Sequence, residues 1–171
     1  MRSGPLERII LIGMMGAGKS TVGSRLAAHL GWRYVDNDEE VRTMTAQEAA
    51  VVMTSGGETG LHAAEASACL RALAIEEPVV IAAAASVVLD HACAAALRSE
   101  RCVAYLRARP DTLRWRIGSG AGRRTDATDL DWLITRLRER DAAYRRAATM
   151  TIDVDERSPD DVVGLILASA R

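Results

Sequence analysis

The stretch Gly13-Met14-Met15-Gly16-Ala17-Gly18-Lys19-Ser20-Thr21 restricts this chain more than any other. It satisfies G-x-x-x-x-G-K-[ST], in which the backbone N–H groups of a glycine loop cradle phosphate oxygens. Its flanks agree. Arg8-Ile9-Ile10-Leu11-Ile12 is a short apolar run of the kind buried in a parallel sheet. Val22, Leu26, Ala27 and Leu30 then keep helical spacing, and Gly31 stands where a C-terminal glycine would stop that helix. Strand, loop and helix in this order place a helix N-terminus, with its partial positive charge, against the loop. Lys19 is the only lysine among 22 basic residues. A compact ammonium suits a tight phosphate cradle where a planar guanidinium does not. Gly13 to Thr21 are therefore the expected phosphate contacts.

The rest of the composition removes alternatives. A chain of 171 residues suits one domain, 1–171, with a full core. A net charge of -1 makes no electrostatic case for nucleic acid. Aromatics are 4% with no Phe, which disfavours a base-stacking platform. No apolar run reaches membrane-spanning length, and Met1-Arg2-Ser3-Gly4-Pro5 leads straight into the first strand. Cys69, Cys93 and Cys102 are odd in number and lack metal-ligand spacing, so buried free thiols in a reducing compartment are expected. A cytoplasmic protein without nucleic-acid or membrane partners follows, and a monomer is expected.

Beyond Gly31, Trp32-Arg33-Tyr34-Val35 reads as a second strand ending in Asp36-Asn37-Asp38. Strand C-terminal ends line the ligand crevice of a parallel sheet. Alternate spacing on an extended segment would point Asp36 and Asp38 to one side. Two carboxylates there suit magnesium ligation or activation of an acceptor hydroxyl; an acidic helix start is the plainer alternative. Thr45-Ala46-Gln47-Glu48 reads as a capping box opening a helix to Ser55-Gly56-Gly57, and Glu58 opens a longer one to about Ala74. The residues from about 37 to 74 form a long insertion between strands, of the kind that shapes an acceptor site.

Pro78 to Ala82 and Cys102 to Leu106 are the third and fourth strands; Asp90 caps a helix through Arg98, and Pro110 opens another through Ile117. The stretch from about 118 to 128 carries three glycines with Arg123 and Arg124. It reads as a lid that closes on a nucleotide, or as a plain linker with solvated charges. A helix rich in arginine covers Leu130 to Ala148, with most of its arginines expected in solvent. Met150 to Asp153 is the fifth strand, and Ser158 with Pro159 starts the last helix. Strands alternating with helices predict an α/β fold with helices on both faces of a parallel sheet.

Taken together, these motifs resemble the shikimate kinases, within the P-loop kinases of the nucleoside-monophosphate-kinase type. The phosphate loop, Asp36-Asn37-Asp38, Gly57-Glu58, Glu65, Arg140 with Tyr144, and the stretch from Ala147 to Pro159 fall in family order. The resemblance implies a five-stranded sheet ordered 2-3-1-4-5, ATP with magnesium, and phosphorylation of the shikimate 3-hydroxyl on the route to aromatic amino acids. By position it implies that Lys19 holds the β- and γ-phosphates. Ser20 would ligate magnesium with Asp36 assisting, and Asp38 would bind and activate the acceptor. Arg116 and Arg157-Ser158-Pro159 match the adenine-contacting elements, and Arg123 or Arg124 the lid arginine. Arg140 matches one of two arginines that grip the acceptor carboxylate.

The departures fall on the acceptor side. The family's Phe-Arg pair after Gly-Glu is here Leu61-His62, which removes the second carboxylate arginine. A histidine makes no bidentate pair and is only partly charged at neutral pH. The three family glycines after the third strand are here Ala84-Ala85-Ser86, where left-handed backbone would be costly. The acceptor is accordingly expected to be shikimate or a similar small polyhydroxylated compound bound through Asp38, His62, Ala84 to Ser86 and Arg140. A cyclitol without a carboxylate, and a nucleotide-binding paralogue without turnover, are the alternatives. A nucleoside monophosphate kinase or NTPase fits the loop but not Asp36-Asn37-Asp38.

Overall fold

The computed structural model describes residues 6–118 and 129–170. Five strands, Arg8–Ile12 (β1), Arg33–Asp36 (β2), Val79–Ala82 (β3), Val103–Arg107 (β4) and Met150–Asp153 (β5), form one parallel sheet ordered β2-β3-β1-β4-β5. Their apolar character explains that order. Ile9 to Ile12 and all of β3 are buried, so these strands need cover on both faces and both edges. β1 obtains it between β3 and β4, where Ile10 lies opposite Ile81 on one side and Val103 on the other. β2 and β5 alternate buried with exposed positions and occupy the edges.

Helices Lys19–Leu30 (α1) and Pro159–Ser169 (α7) pack together, while His91–Arg98 (α4), Pro110–Gly118 (α5) and Leu130–Ala147 (α6) form a second group. Their starts follow local chemistry. Asp90, Asp129 and Ser158 each accept an N–H of the first turn, and Ser158 completes a capping box with Asp161. α1 ends as the sequence predicts, on Gly31 at φ 66° with its N–H on the Ala27 carbonyl. The three cysteines are buried free thiols; burial pushes Cys102 up to about 11.

Three local expectations need correction. Asp38 does not continue an extended segment: β2 runs one residue further than expected, and Asp36 caps the helix Asn37–Thr45 (α2) by accepting the Asp38 N–H. Thr45 is the last residue of α2 rather than a cap. Its hydroxyl donates to the Val41 carbonyl, a local bond that competes with capping, and Ala46 follows at φ 56°. The next helical stretch, Ala49–Leu73 (α3), starts after Glu48 and divides where the glycines predict, at a non-helical kink on Gly57, φ 63° and ψ -170°. Finally, Ala84 to Ser86 need no left-handed backbone, because Ala46 is the one non-glycine residue with positive φ among the described residues. Ser86 leads at φ -84° into a 3₁₀ turn, Val87–Leu89. Alanine and serine fit that right-handed path without strain.

α6 is fastened to the sheet by two tyrosines. Tyr144 stacks on Tyr105 of β4 at 4.8 Å between ring centroids, and its hydroxyl donates to the Ala85 carbonyl at 2.7 Å. The stack and hydrogen bond each supply about 1 kcal/mol. They tie the connection after β3 to the helix that carries Arg140. At the start of the phosphate loop Gly13 lies at φ 140°, and an added Cβ would sit 2.5 Å from the Leu106 carbonyl oxygen. Backbone cannot yield there as a flexible side chain would. Gly13→Ala is therefore expected to lose about 2 kcal/mol or more of stability. Urea denaturation checks this; an unchanged midpoint would disprove the close approach.

Candidate active site

The phosphate loop is shaped by what its helix lacks. α1 begins at Gly18, φ 96°, with no side-chain cap and no acidic residue in its first turn. The N–H groups at that turn are thus left to a ligand rather than to the protein. Gly16, at φ 83°, packs so closely on α5 that a Cβ would meet Ile117 at 2.9 Å. Met14 and Ala17 are buried beneath the loop, whereas Ser20 and Thr21 are exposed at the helix start. Lys19 folds back over the loop, its Nζ donating to the carbonyls of Gly13 at 2.8 Å and Met14 at 3.0 Å.

Ser20 and Asp36 meet as their spacing implies. Ser20 Oγ donates to Asp36 Oδ2 at 2.8 Å, and Tyr34 donates to the same oxygen at 2.9 Å. Burial, then the Asp36 carboxylate, hold the Tyr34 hydroxyl well above its usual range. Tyr34 therefore stays a neutral donor that orients Asp36. Sequence reading missed it, although it lies two residues before Asp36 on the same strand. A hydroxyl and a carboxylate are hard oxygen donors of the kind magnesium takes. Among the described residues no cluster of three or more His, Cys, Asp or Glu could hold a metal by itself.

Across the loop, Asp38, Ser86 and Arg140 gather around Glu65. Ser86 is buried and its hydroxyl donates to Glu65. Burial raises the Glu65 carboxyl most; the Ser86 bond opposes this, Asp38 adds to it, and Arg140 and Lys19 lower it. Lys19 and Arg140 therefore lie within electrostatic reach of one carboxylate. Arg140 is only 4% exposed, unlike the exposed Arg138, Arg145 and Arg146 of α6. Its Nε has no hydrogen-bond partner among the described residues. A buried guanidinium with an unused donor is poised for an anionic ligand.

His62 faces the same insertion from α3, partly exposed, with Nε2 3.6 Å from Glu58 Oε1. Leu61 beside it is buried in a small cluster with Val41, Val52 and Ala68, which holds α2 on α3. Ala84 is buried in the main apolar core, and Ala85 is half-buried beside Ser86. At the far end of the crevice, Arg116 Nη2 donates to the Val154 carbonyl at 2.8 Å, and Arg157 Nε to the Asp153 carbonyl at 3.0 Å. Arg116 and the Arg157-Ser158-Pro159 turn thus converge on the connection from β5 to α7. Arg157 also lines an open recess of about 380 Å³ with Arg109, Asp153, Asp155 and Glu156. Arg123 and Arg124 lie outside the described residues.

A parallel 2-3-1-4-5 sheet with a glycine loop between β1 and an uncapped α1 is the fold of a P-loop kinase. The family model for shikimate kinase matches residues 15–171. The shikimate kinase of Symbiobacterium thermophilum is 38% identical, over 93% of this chain and 93% of that protein. That of Thiobacillus denitrificans is 33% identical, over 89% and 84%. The structure of shikimate kinase from Acinetobacter baumannii in complex with shikimate superposes with a TM-score of 0.85 at 26% identity, covering 95% of this chain and 91% of that one. The chain belongs to the shikimate kinase family, ATP-dependent enzymes that phosphorylate an alcohol.

The Glu65 environment gives a pH test. Its carboxyl is raised in the folded protein, so folding favours the protonated form. That contribution is complete below the unfolded value, near 4.5, and is lost as pH rises through the folded value. Stability of the wild type should therefore fall relative to Glu65→Gln from about pH 4.5 upward. Parallel urea midpoints across that range would contradict the burial.

Proposed function

We propose that this protein transfers the γ-phosphoryl group of ATP to the 3-hydroxyl of shikimate, within aromatic amino acid biosynthesis. The observation that carries the reading is the pairing, across one crevice, of an uncapped phosphate loop with buried Arg140, whose Nε is unused among the described residues. The first suits a polyphosphate and the second a carboxylate. Family membership supplies the reaction class.

In this reading Lys19 leaves its loop carbonyls to hold the β- and γ-phosphates. Ser20 and Asp36, already in contact, would hold magnesium, which would supply neutralisation of charge on the phosphates. Asp38, at the start of α2, orients the acceptor hydroxyl and takes its proton. Glu65 and Ser86 back the pocket, and Arg140 holds the carboxylate. Arg116 and Arg157 to Pro159 border the adenine, and Arg123 or Arg124 closes over the phosphates. Residues 37–74 serve as the acceptor-binding insertion and 118–128 as the lid of a single domain. We place the enzyme in the cytoplasm as a monomer; no described helix is long and apolar enough to cross a membrane.

His62 is the observation that favours a second reading, a cyclitol acceptor without a carboxylate, because it lacks a permanent charge where the family has arginine. Coupled ADP release with shikimate, quinate and a set of cyclitols separates the two. Turnover with shikimate well above that with any cyclitol is expected; preference for a neutral cyclitol would replace the first reading with the second. ATP binding without turnover on any acceptor would leave only the nucleotide-binding role. Lys19→Ala should lower kcat/KM by about two orders of magnitude or more. Asp38→Asn should lower kcat while the KM for ATP stays within about two-fold, measured in the same assay.

A further inference from the structure

Arg136 does not lie on a solvated face, as its neighbours on α6 do. It is three-quarters covered, with 25% of its side chain exposed; its Nη2 lies 2.7 Å from Glu58 Oε1 and its Nη1 3.3 Å from Glu139 Oε2. Its guanidinium carbon sits 5.6 Å from the centre of the Trp132 ring. Glu58 is the residue that also approaches His62, one turn along α3. Arg136 therefore reaches, from the opposite helix, the place where α3 carries a histidine. It is also one turn before Arg140 on α6, so the two guanidinium groups leave the same side of that helix. Arg140 is buried and acts on the Glu65 carboxyl, which Ser86 bonds.

We propose that Arg136 is the second cation of the acceptor pocket and a specificity-determining residue. It supplies from α6 the charge that α3 does not supply through His62. The proposal rests on the reading of the acceptor as a carboxylate-bearing alcohol. Glu58 keeps the Arg136 side chain extended across the α3–α6 gap, with the Trp132 ring alongside. A guanidinium has more N–H donors than one carboxylate can use. Arg136 can thus keep Glu58 through Nη2 and turn Nη1 from Glu139, exposed one turn along α6, to an acceptor carboxylate shared with Arg140. His62 leaves room for that approach, because its imidazole is shorter than an arginine side chain. The anion-binding pair then stands on one rigid helix rather than on two helices, one of them kinked at Gly57.

The test is a comparison of wild type, Arg136→Leu, Arg136→Lys and Arg136→Leu/His62→Arg with two acceptors, shikimate and its methyl ester. Wild-type turnover of shikimate is measured first; its absence overturns the acceptor reading, independently of Arg136. Given that turnover, Arg136→Leu should raise the KM for shikimate about ten-fold or more, with the KM for ATP unchanged. Arg136→Lys should lie between it and wild type. With the methyl ester, which has no carboxylate charge, Arg136→Leu should differ from wild type by less than about two-fold. The double variant should recover most of the lost shikimate affinity, because the charge returns from α3. Equal effects on both acceptors, or a shikimate KM unmoved in Arg136→Leu, would overturn the proposal. An unchanged KM for ATP also serves as the check that Arg136→Leu is folded.

Discussion

β1 is hydrogen-bonded on both edges, to β3 and to β4, and the site depends on that double pairing. Because the pairing is parallel, the C-terminal ends of all three strands emerge on one side. The phosphate loop leaves β1 there, the Ala84 to Ser86 connection leaves β3 beside it, and the backbone of β4 comes so close to Gly13 that no side chain fits between them. Burying β1 on both faces leaves few other places for a run such as Ile9 to Ile12. The catalytic crevice is thus a consequence of where an apolar strand can be placed.

From that centre the protein divides into two halves of different character. The nucleotide half is made of backbone: glycine torsions, a helix N-terminus without a cap, and a lysine resting on loop carbonyls. Backbone geometry of this kind permits few substitutions. The acceptor half is made of side chains from α2, α3, α6 and the β3 connection. Ser86 on Glu65 and Tyr144 on the Ala85 carbonyl are bonds between these pieces. Side chains can be exchanged between helices while the total charge of a pocket is kept. The proposed role of Arg136 beside His62 would have this form.

Much of this was legible in the chain. Element types and order were, since hydrophobic periodicity and capping residues act locally; Asp90, Ser158 and Gly31 do in the structure what their residue types predict. Boundaries failed where two local signals competed. Thr45 followed by Glu48 looks like a capping box, but the threonine hydroxyl bonds back to Val41 and ends one helix instead of starting the next. Asp36 and Asp38 looked like neighbours on a strand; the first caps the helix that carries the second.

The sequence by itself determined the phosphate loop, the alternation of strands and helices and the family, because each rests on contiguous residues. Only the tertiary structure decided which arginines of α6 turn inward. Arg140 stands four residues before Tyr144 in the family pattern, but no contiguous motif sets Arg136 apart from Arg138, Arg145 and Arg146. Packing of α6 on β4 and the β3 connection buries Arg140, and the approach of α3 covers Arg136. Burial decides what such a charge is worth, since a guanidinium in water is screened and one in a pocket calls for an anion. That distinction depends on long-range contacts, which no local pattern in the chain encodes.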